Sequence, residues 1–226
     1  LVNIESIKQL EISELEARSY YEGTRISWPI ITGHADIERD QYAAIYEDMS
    51  QWDGSQIRIF CLRGEPGSGK TTLAWRLAFD IALMSNYPLI QINVQENIWH
   101  SLQDIANRYI RPLIVLIDDI FQNSTYKLDE VISQLDINLP LLIISTSRLN
   151  MIPTIIRSPL LKEGKHFTLI DINKPTPNEK ERAISKINTN WPSIDQKRLN
   201  KASSWLVMML ELSKGENLNK IIQQSV

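Results

Sequence analysis

The chain has 226 residues, of which 43% are hydrophobic and 23% are charged, as in ordinary folded globular proteins. That composition excludes a disordered tail, a collagen-like rod and a coiled coil. A formal net charge of −3 provides no overall basic field for nucleic acid or an anionic membrane. The single cysteine, Cys61, excludes a disulfide framework and a cysteine-based zinc site.

The same features predict where the protein works. No apolar run approaches the roughly 18 residues that a membrane helix needs, so no membrane partner is expected. The low cysteine content favours a reducing, cytoplasmic location. The sequence starts at Leu1 rather than at Met, and we therefore expect a fragment of a longer, multidomain protein.

The first part of the chain is predicted to be helical. Apolar residues recur with helical spacing along residues 3–20, which indicates one amphipathic helix in an N-terminal helical linker, residues 1–24. The segment 25–34 contains a Trp-Pro pair and interrupts the pattern, which resumes along residues 36–49.

From residue 57 the pattern becomes that of an α/β fold, because short apolar runs alternate with helical stretches. Strands buried on both faces read as continuous Val/Ile/Leu runs, which predicts a five-stranded parallel sheet flanked by helices. The predicted strands are Ile57–Leu62, Pro88–Asn93, Leu113–Ile117, Leu141–Ser145 and Phe167–Ile172, and the predicted helices are Thr71–Met84, Ile98–Tyr109 and Tyr126–Leu135.

After Pro175 the pattern is purely helical. Thr176 is predicted to cap a helix that has Pro177 at its first position and Glu179 at its third. Further helices follow to the end of the chain. We interpret residues 176–226 as a small C-terminal helical lid or annex.

One segment matches the phosphate-binding pattern G-x-x-x-x-G-K-[ST] in full, between a predicted strand and a predicted helix. Its glycines allow backbone N–H groups to turn inward around an anion, and the following helix adds its positive N-terminal end. We expect Lys70 to contact the β- and γ-phosphates and Thr71 to ligate Mg²⁺. The predicted nucleotide-binding residues of this Walker A segment are Gly64, Glu65, Pro66, Gly67, Ser68, Gly69, Lys70, Thr71 and Thr72.

Acidic residues follow the central apolar strand, in the manner of a Walker B motif. Asp118 comes directly after Leu113–Ile117, at the strand edge that carries the phosphate site, where its oxygens suit a hydrated Mg²⁺. Asp119 is then placed to orient or deprotonate the attacking water. The competing interpretation is a solvated strand end, where Asp pairs are common in turns.

The strand from Leu141 ends in hydroxyl residues followed by Arg148. An arginine at this edge can distinguish ATP from ADP through a charge-assisted contact with the γ-phosphate. We therefore predict that Arg148 senses the γ-phosphate. The predicted catalytic residues are Lys70, Asp119 and Arg148. A surface arginine that simply ends a strand is the alternative. No guanine-reading [NT]-K-x-D motif occurs, which favours ATP over GTP.

Together these three motifs resemble the STAND class of P-loop NTPases, which includes the NACHT and NB-ARC switch modules. The resemblance covers residues 25–226, with the P-loop NTPase core at 25–175, and is closest to bacterial members used in antiviral defence. It implies a module that binds ATP or ADP with Mg²⁺, hydrolyses ATP slowly and self-associates on activation. It also implies effector and sensor domains outside this chain, and an adenine cradle at residues 31–34.

Two other interpretations stay open. The first is an AAA+-like motor or loader that acts on nucleic acid or protein; Asp119 in place of a glutamate, and Arg148 at the strand end, favour the switch instead. The second is a scaffold that binds nucleotide without using it. Nucleic acid is not an expected partner of this module. The three histidines lack ligand spacing, so no transition-metal site is expected.

Overall fold

The computed structural model describes residues 2–21, 26–92, 104, 108, 111–118, 138–149 and 165–190. Within them the helices are α1 (Ile4–Lys8), α2 (Glu14–Tyr21), α3 (Trp28–Thr32), α4 (Tyr42–Ser50), α5 (Lys70–Ser85) and α6 (Pro177–Asn190). The strands are β1 (Arg58–Arg63), β2 (Leu89–Ile92), β3 (Leu113–Ile117), β4 (Leu141–Ser147) and β5 (Phe167–Asp171). The helices predicted at 98–109 and 126–135, and everything after residue 190, lie outside the described residues, apart from Asp104 and Arg108, which are helical.

The five strands form one parallel sheet in the order β2-β3-β4-β1-β5. In the sequence, helices precede the first strand and follow the last one, and α5 lies between β1 and β2. All four neighbouring pairs are parallel, and β1 pairs with both β4 and β5. Strands β3 and β4 are buried along their whole length, as their continuous apolar runs predict. The predicted fold class, a parallel five-stranded α/β sheet flanked by helices, is therefore confirmed.

The described chain forms two compact units. The first, which we call the sheet unit, comprises Leu1–Ile4, Ala44–Gly64 and Ala74–Asp171, and contains all five strands. The second, which we call the P-loop unit, comprises Glu5–Ala43, Glu65–Leu73 and Ile172–Val226. Both units are discontinuous in sequence, because the chain passes from one to the other several times.

The P-loop unit has its own apolar core. It is formed by side chains from α2, α3, the segment after α3, and α6: Tyr20, Tyr21, Ile30, Ile37, Ala183, Ile184 and Ile187. The buried α6 residues recur at helical spacing, so one face of this short helix points into the core. The Tyr21 hydroxyl donates to the carbonyl of Ala35, and burial is the main reason why the pKa of Tyr21 is raised to about 12.

The prediction of one continuous helix over residues 3–20 is wrong, because the structure has two helices there. Ser13 starts the second helix as a capping box: its Oγ accepts the N–H of Glu16 at 3.2 Å, and the Glu16 carboxylate accepts the N–H of Ser13 at 3.2 Å. The side chain of Ser13 competes with the helical backbone bonds and divides the segment.

Two further boundaries differ from the prediction. The Trp-Pro segment contains the short helix α3, because Pro29 lies in its first turn, where proline is tolerated. The helix predicted over 36–49 begins only at Tyr42. The carbonyls of Asp36 and Glu38 accept hydrogen bonds from side chains of α6, and so are not available to a helical ladder.

No helix among the described residues combines the length and the apolar character needed to cross a membrane.

Candidate nucleotide-binding site

The P-loop, residues 64–72, follows β1 directly and leads into α5, which begins at Lys70. Gly67 and Gly69 have φ values of 72° and 82°, in the left-handed region that glycine adopts without strain. Inside the loop the N–H of Ser68 donates to the carbonyl of Glu65 at 3.1 Å. Left-handed glycines in such a loop allow its N–H groups to form an anion-binding cradle. The loop also lies at the positive N-terminal end of the 16-residue helix α5.

The functional side chains of the loop lie at the start of α5. The ammonium of Lys70 lies 3.5 Å from the carbonyl oxygen of Glu65, so the lysine folds back over the loop. Thr71 is partly exposed. The hydroxyl of Thr72 accepts a 3.4 Å hydrogen bond from Tyr20.

Ser68 provides a test of whether these residues fit a nucleotide phosphate. Its hydroxyl is buried and has no hydrogen-bond partner among the described residues. A buried hydroxyl without a partner is costly, and a phosphate oxygen is an acceptor that satisfies it. The orphaned hydroxyl, the two left-handed glycines and the helix start fit a bound phosphate.

Arg39, which the sequence analysis did not select, contacts the P-loop from outside. Its guanidinium donates to the backbone carbonyl of Ser68, and the residue is 5% exposed. Sequence alone gave no signal for this contact, because Arg39 lies 29 positions before Ser68 in a stretch of ordinary charged residues.

The sheet unit brings the other predicted residues to the carboxyl edge of the sheet. Asp118 directly follows β3, and its Oδ1 accepts a 2.6 Å hydrogen bond from the hydroxyl of Thr146 on β4. On the other side of β4, the N–H of Gly64 donates to the carbonyl of Ser147 at 3.2 Å. Strand β4 thus orients the acidic side chain and anchors the first residue of the P-loop. Thr146 was not singled out by the sequence, although its position near the end of a parallel strand indicated the correct edge.

Of the remaining predicted residues, the structure describes Arg148 but not Asp119. Arg148 directly follows β4 and is partly exposed, so it lies at the same edge as Asp118. Asp119 lies outside the described residues. At the far strand, Asp171 accepts a 2.9 Å hydrogen bond from Arg63, and this bonding raises the pKa of the arginine.

Cys61 is a structural residue of β1. Its thiol is fully buried and lies 3.4 Å from the hydroxyl of Ser147. Burial raises the pKa of Cys61, which keeps the thiol protonated and unreactive.

Among the described residues, no cluster of three or more His, Cys, Asp or Glu side chains is placed to hold a metal ion. Mg²⁺ that arrives with a nucleotide needs only one or two protein ligands, because phosphates and water fill its other positions. Asp118 and Thr71 are ligand types of that kind.

The sheet order and the P-loop define a P-loop NTPase. A model of the family described as Novel STAND NTPase 5 matches residues 18–158, and the chain belongs to that family. The recognition of a STAND-class NTPase from the sequence motifs is confirmed. A comparison with curated protein sequences finds no match.

Solved structures of P-loop ATPases have a similar fold. RuvB from Thermotoga maritima superposes with a TM-score of 0.53 at 15% identity, over 84% of this chain and 65% of that one. A chain of the HORMA:CdnC:Trip13 complex of E. coli MS115-1 superposes with a TM-score of 0.52 at 13% identity, over 74% of this chain and 72% of that one. At these identities the likeness concerns the fold alone.

Proposed function

We propose that this chain is an ATP-binding, slowly hydrolysing switch module of a multidomain signalling or defence protein, and that its nucleotide state controls self-association. The observation that carries the proposal is the P-loop of a STAND-family chain, in which Gly67 and Gly69 adopt left-handed backbone conformations directly before α5. Family membership establishes the NTPase class. The switch, its slow turnover and its oligomerisation are our inference.

In this proposal the residues of the P-loop bind the phosphates through backbone N–H groups and the ammonium of Lys70. Thr71 and Asp118 are the protein ligands of Mg²⁺, and Thr146 holds the Asp118 carboxylate in one orientation. Asp119 positions the attacking water, and Arg148 distinguishes ATP from ADP. Mg²⁺ itself supplies positive charge that offsets the charge on the phosphate oxygens.

The proposed partners follow from the family. STAND modules act between a sensor and an effector, and we place both outside this chain, in a cytoplasmic protein. Exchange or hydrolysis of the bound nucleotide changes which of two conformations is favoured, because a ligand shifts an equilibrium only by its differential affinity for the two states.

The first experiment identifies the nucleotide that the protein retains. The chain is purified gently and denatured, and released nucleotide is identified by ion-exchange chromatography, with Lys70→Ala as the matched control. Stoichiometric ADP or ATP from the parent, and none from the variant, supports a switch that stores its nucleotide. An empty parent that also fails to bind added ATP contradicts the proposal.

A second measurement separates the switch from an AAA+-like motor. The ATPase rate is measured alone, with single- and double-stranded DNA, and across protein concentrations. A switch turns over slowly, and its rate depends on self-association. Rapid turnover that DNA stimulates contradicts the switch and favours the motor.

A further inference from the structure

A buried charge network inside the P-loop unit connects the P-loop to helix α6. At its centre is Arg39, whose side chain is 4% exposed. The guanidinium uses each of its nitrogens: Nε donates to Glu179 at 2.8 Å, one terminal nitrogen donates to the carbonyl of Ser68, and the other to the carbonyl of Asn173 at 2.8 Å. One side chain therefore bonds to the P-loop, to the segment before α6 and to α6 itself.

Glu179 fixes the position of that guanidinium. Its side chain is 1% exposed, and Oε1 accepts from both Arg39 and the N–H of Asp40, the latter at 2.7 Å. The other oxygen accepts the N–H of Thr176 at 2.9 Å, while the Thr176 hydroxyl accepts the N–H of Glu179 at 3.2 Å. The capping box predicted from the sequence is thus confirmed, and its glutamate has a second role. A carboxylate held by this many donors cannot move without breaking the cap of α6.

Two further side chains on the same helix bond to the segment that carries Arg39. Arg182 donates to the carbonyl of Glu38 at 2.9 Å and to Asp40, and Lys186 donates to the carbonyl of His34 at 2.8 Å. With Glu179 they lie at helical spacing on one side of α6. These three bonds go to the segment that carries Arg39, whereas Arg39 itself also bonds to the P-loop.

We propose that Arg39 is a positioning residue that couples the P-loop to the docking of α6, through its simultaneous bonds to the Ser68 carbonyl and to the buried Glu179 carboxylate. This inference rests on the proposed function, and it names α6 as the element to which the nucleotide site is coupled. When Arg39 holds the carbonyl of Ser68, the neighbouring N–H groups of the loop stay in the orientation that an anion needs. The same guanidinium is held in place only while α6 is capped and docked.

The coupling acts in both directions, because linkage between two equilibria is reciprocal. If docking of α6 through Arg39 favours the nucleotide-binding shape of the loop, a bound nucleotide stabilises that docking to the same extent. Helix α6 is then the first element after the sheet that responds to occupancy of the P-loop. No covalent step is involved.

The test measures ADP affinity in the presence of Mg²⁺ by calorimetry for the whole chain and three variants. Arg39→Lys keeps the charge but cannot make all three bonds at once, because a lysine has no planar fork. The double variant with Arg39→Met and Glu179→Gln removes the buried ion pair without leaving an uncompensated charge, and the glutamine oxygen can still accept a backbone N–H at the start of α6. Arg182→Met is the matched control, because Arg182 bonds the same segment from the same helix.

We expect Arg39→Lys and the double variant to bind ADP about tenfold more weakly than the parent, the loss typical of one charge-assisted hydrogen bond. Arg182→Met should lower the melting temperature and leave the affinity within about twofold, since surface bonds contribute little to a site they do not touch. We also expect ADP to slow amide hydrogen exchange along residues 180–187 in the parent, and to slow it less in Arg39→Lys.

The outcomes are distinguishable. A parent that does not bind ADP overturns the proposed function, and this inference with it. A parent that binds, with Lys70→Ala abolishing binding but both Arg39 variants binding as the parent does, overturns the inference alone. The same holds if the exchange of α6 amides responds equally to ADP in the parent and in Arg39→Lys. If Arg39→Lys does not fold, the double variant decides.

Discussion

The hydroxyl of Thr146 donates a 2.6 Å hydrogen bond to Oδ1 of Asp118, from one strand of the sheet to the end of the next. Thr146 is fully buried, whereas Asp118 is exposed. A buried donor on β4 therefore holds one oxygen of an exposed carboxylate at the end of β3. In the proposed Mg²⁺ site, Thr146 would thus orient a metal ligand from the neighbouring strand.

The first prediction concerns this hydrogen bond. Thr146→Val keeps the shape of the side chain and removes the donor, so Asp118 loses its fixed orientation. We expect the Mg²⁺ concentration needed for ATP binding and turnover to rise about tenfold, as for other residues that orient metal ligands. The measurement is a Mg²⁺ titration at fixed ATP. Thr146→Ser, which keeps the hydroxyl, should behave as the parent; equal Mg²⁺ dependence in Thr146→Val and the parent would contradict the role.

The second prediction concerns Lys70. Lys70→Ala should abolish nucleotide binding, because the ammonium is the point charge that the loop directs at the phosphates. Lys174→Ala is the control: it also removes one positive charge, from an exposed ion pair with Glu65 at 4.0 Å. Exposed pairs contribute little, so the control should bind normally. Unchanged affinity of Lys70→Ala in a nucleotide titration would refute the P-loop assignment.

The third prediction concerns Arg148. Arg148→Ala should reduce the preference for ATP over ADP, because only ATP carries the γ-phosphate that the arginine is proposed to contact. The ratio of the two dissociation constants measures this. Arg63→Ala is the comparison, since Arg63 also lies at the end of a strand and bonds to Asp171. A ratio that is the same in Arg148→Ala and in the parent refutes the sensor role.

The fourth prediction concerns the backbone of the P-loop. Gly67 has a φ of 72°, so Gly67→Ala costs about 1–2 kcal/mol of stability. It also shifts the loop away from the conformation in which its N–H groups form the anion-binding cradle. We expect a loss of ATP affinity by calorimetry. Gly54→Ala is an informative control, because Gly54 has a φ of +76° and an added Cβ lies 2.7 Å from Pro112. That variant should be destabilised but should still bind ATP if it folds. Equal ATP affinities in the parent, Gly67→Ala and Gly54→Ala would argue against an anion-binding cradle at Gly67.

The fifth prediction concerns pH. Hydrogen bonds from Thr176 and Arg182 hold the pKa of Asp40 below its ordinary value of 3.8. The unfolded chain therefore binds a proton to this group more readily than the folded chain does, and the free energy of unfolding falls as the pH drops below about 4. Asp40→Asn should flatten the fall in melting temperature between pH 5 and pH 3. Arg182→Met removes one of the groups that lower the pKa of Asp40 and should give an intermediate slope. Parallel curves for parent and Asp40→Asn would exclude the effect.

Much of the sheet was predictable, because a strand buried on both faces must be apolar throughout. Leu113–Ile117 was predicted to the residue for that reason. The start of α5 was predicted to within one residue, since the glycines of the P-loop end just before it. Strand order could not be derived from the sequence, because it depends on pairings between distant segments.

The network around Arg39 shows where prediction from sequence stops. The capping role of Glu179 was predictable, since it depends on Thr176 three positions earlier. Its bond to Arg39 spans 140 positions, and nothing in either local sequence distinguishes this pair from exposed charges. The boundary between α1 and α2 was missed for a different reason: apolar spacing continued through a serine whose side chain caps a new helix.

The position of β1 within the sheet also has a consequence for synthesis of the protein. Strand β1 is complete at Arg63, but both of its neighbours come later, beginning at Leu141 and Phe167. At about 5–20 residues per second, a ribosome needs several seconds to reach them. During that interval the segment that leads into the P-loop lacks both of its strand partners, and apolar segments in that condition are prone to aggregate.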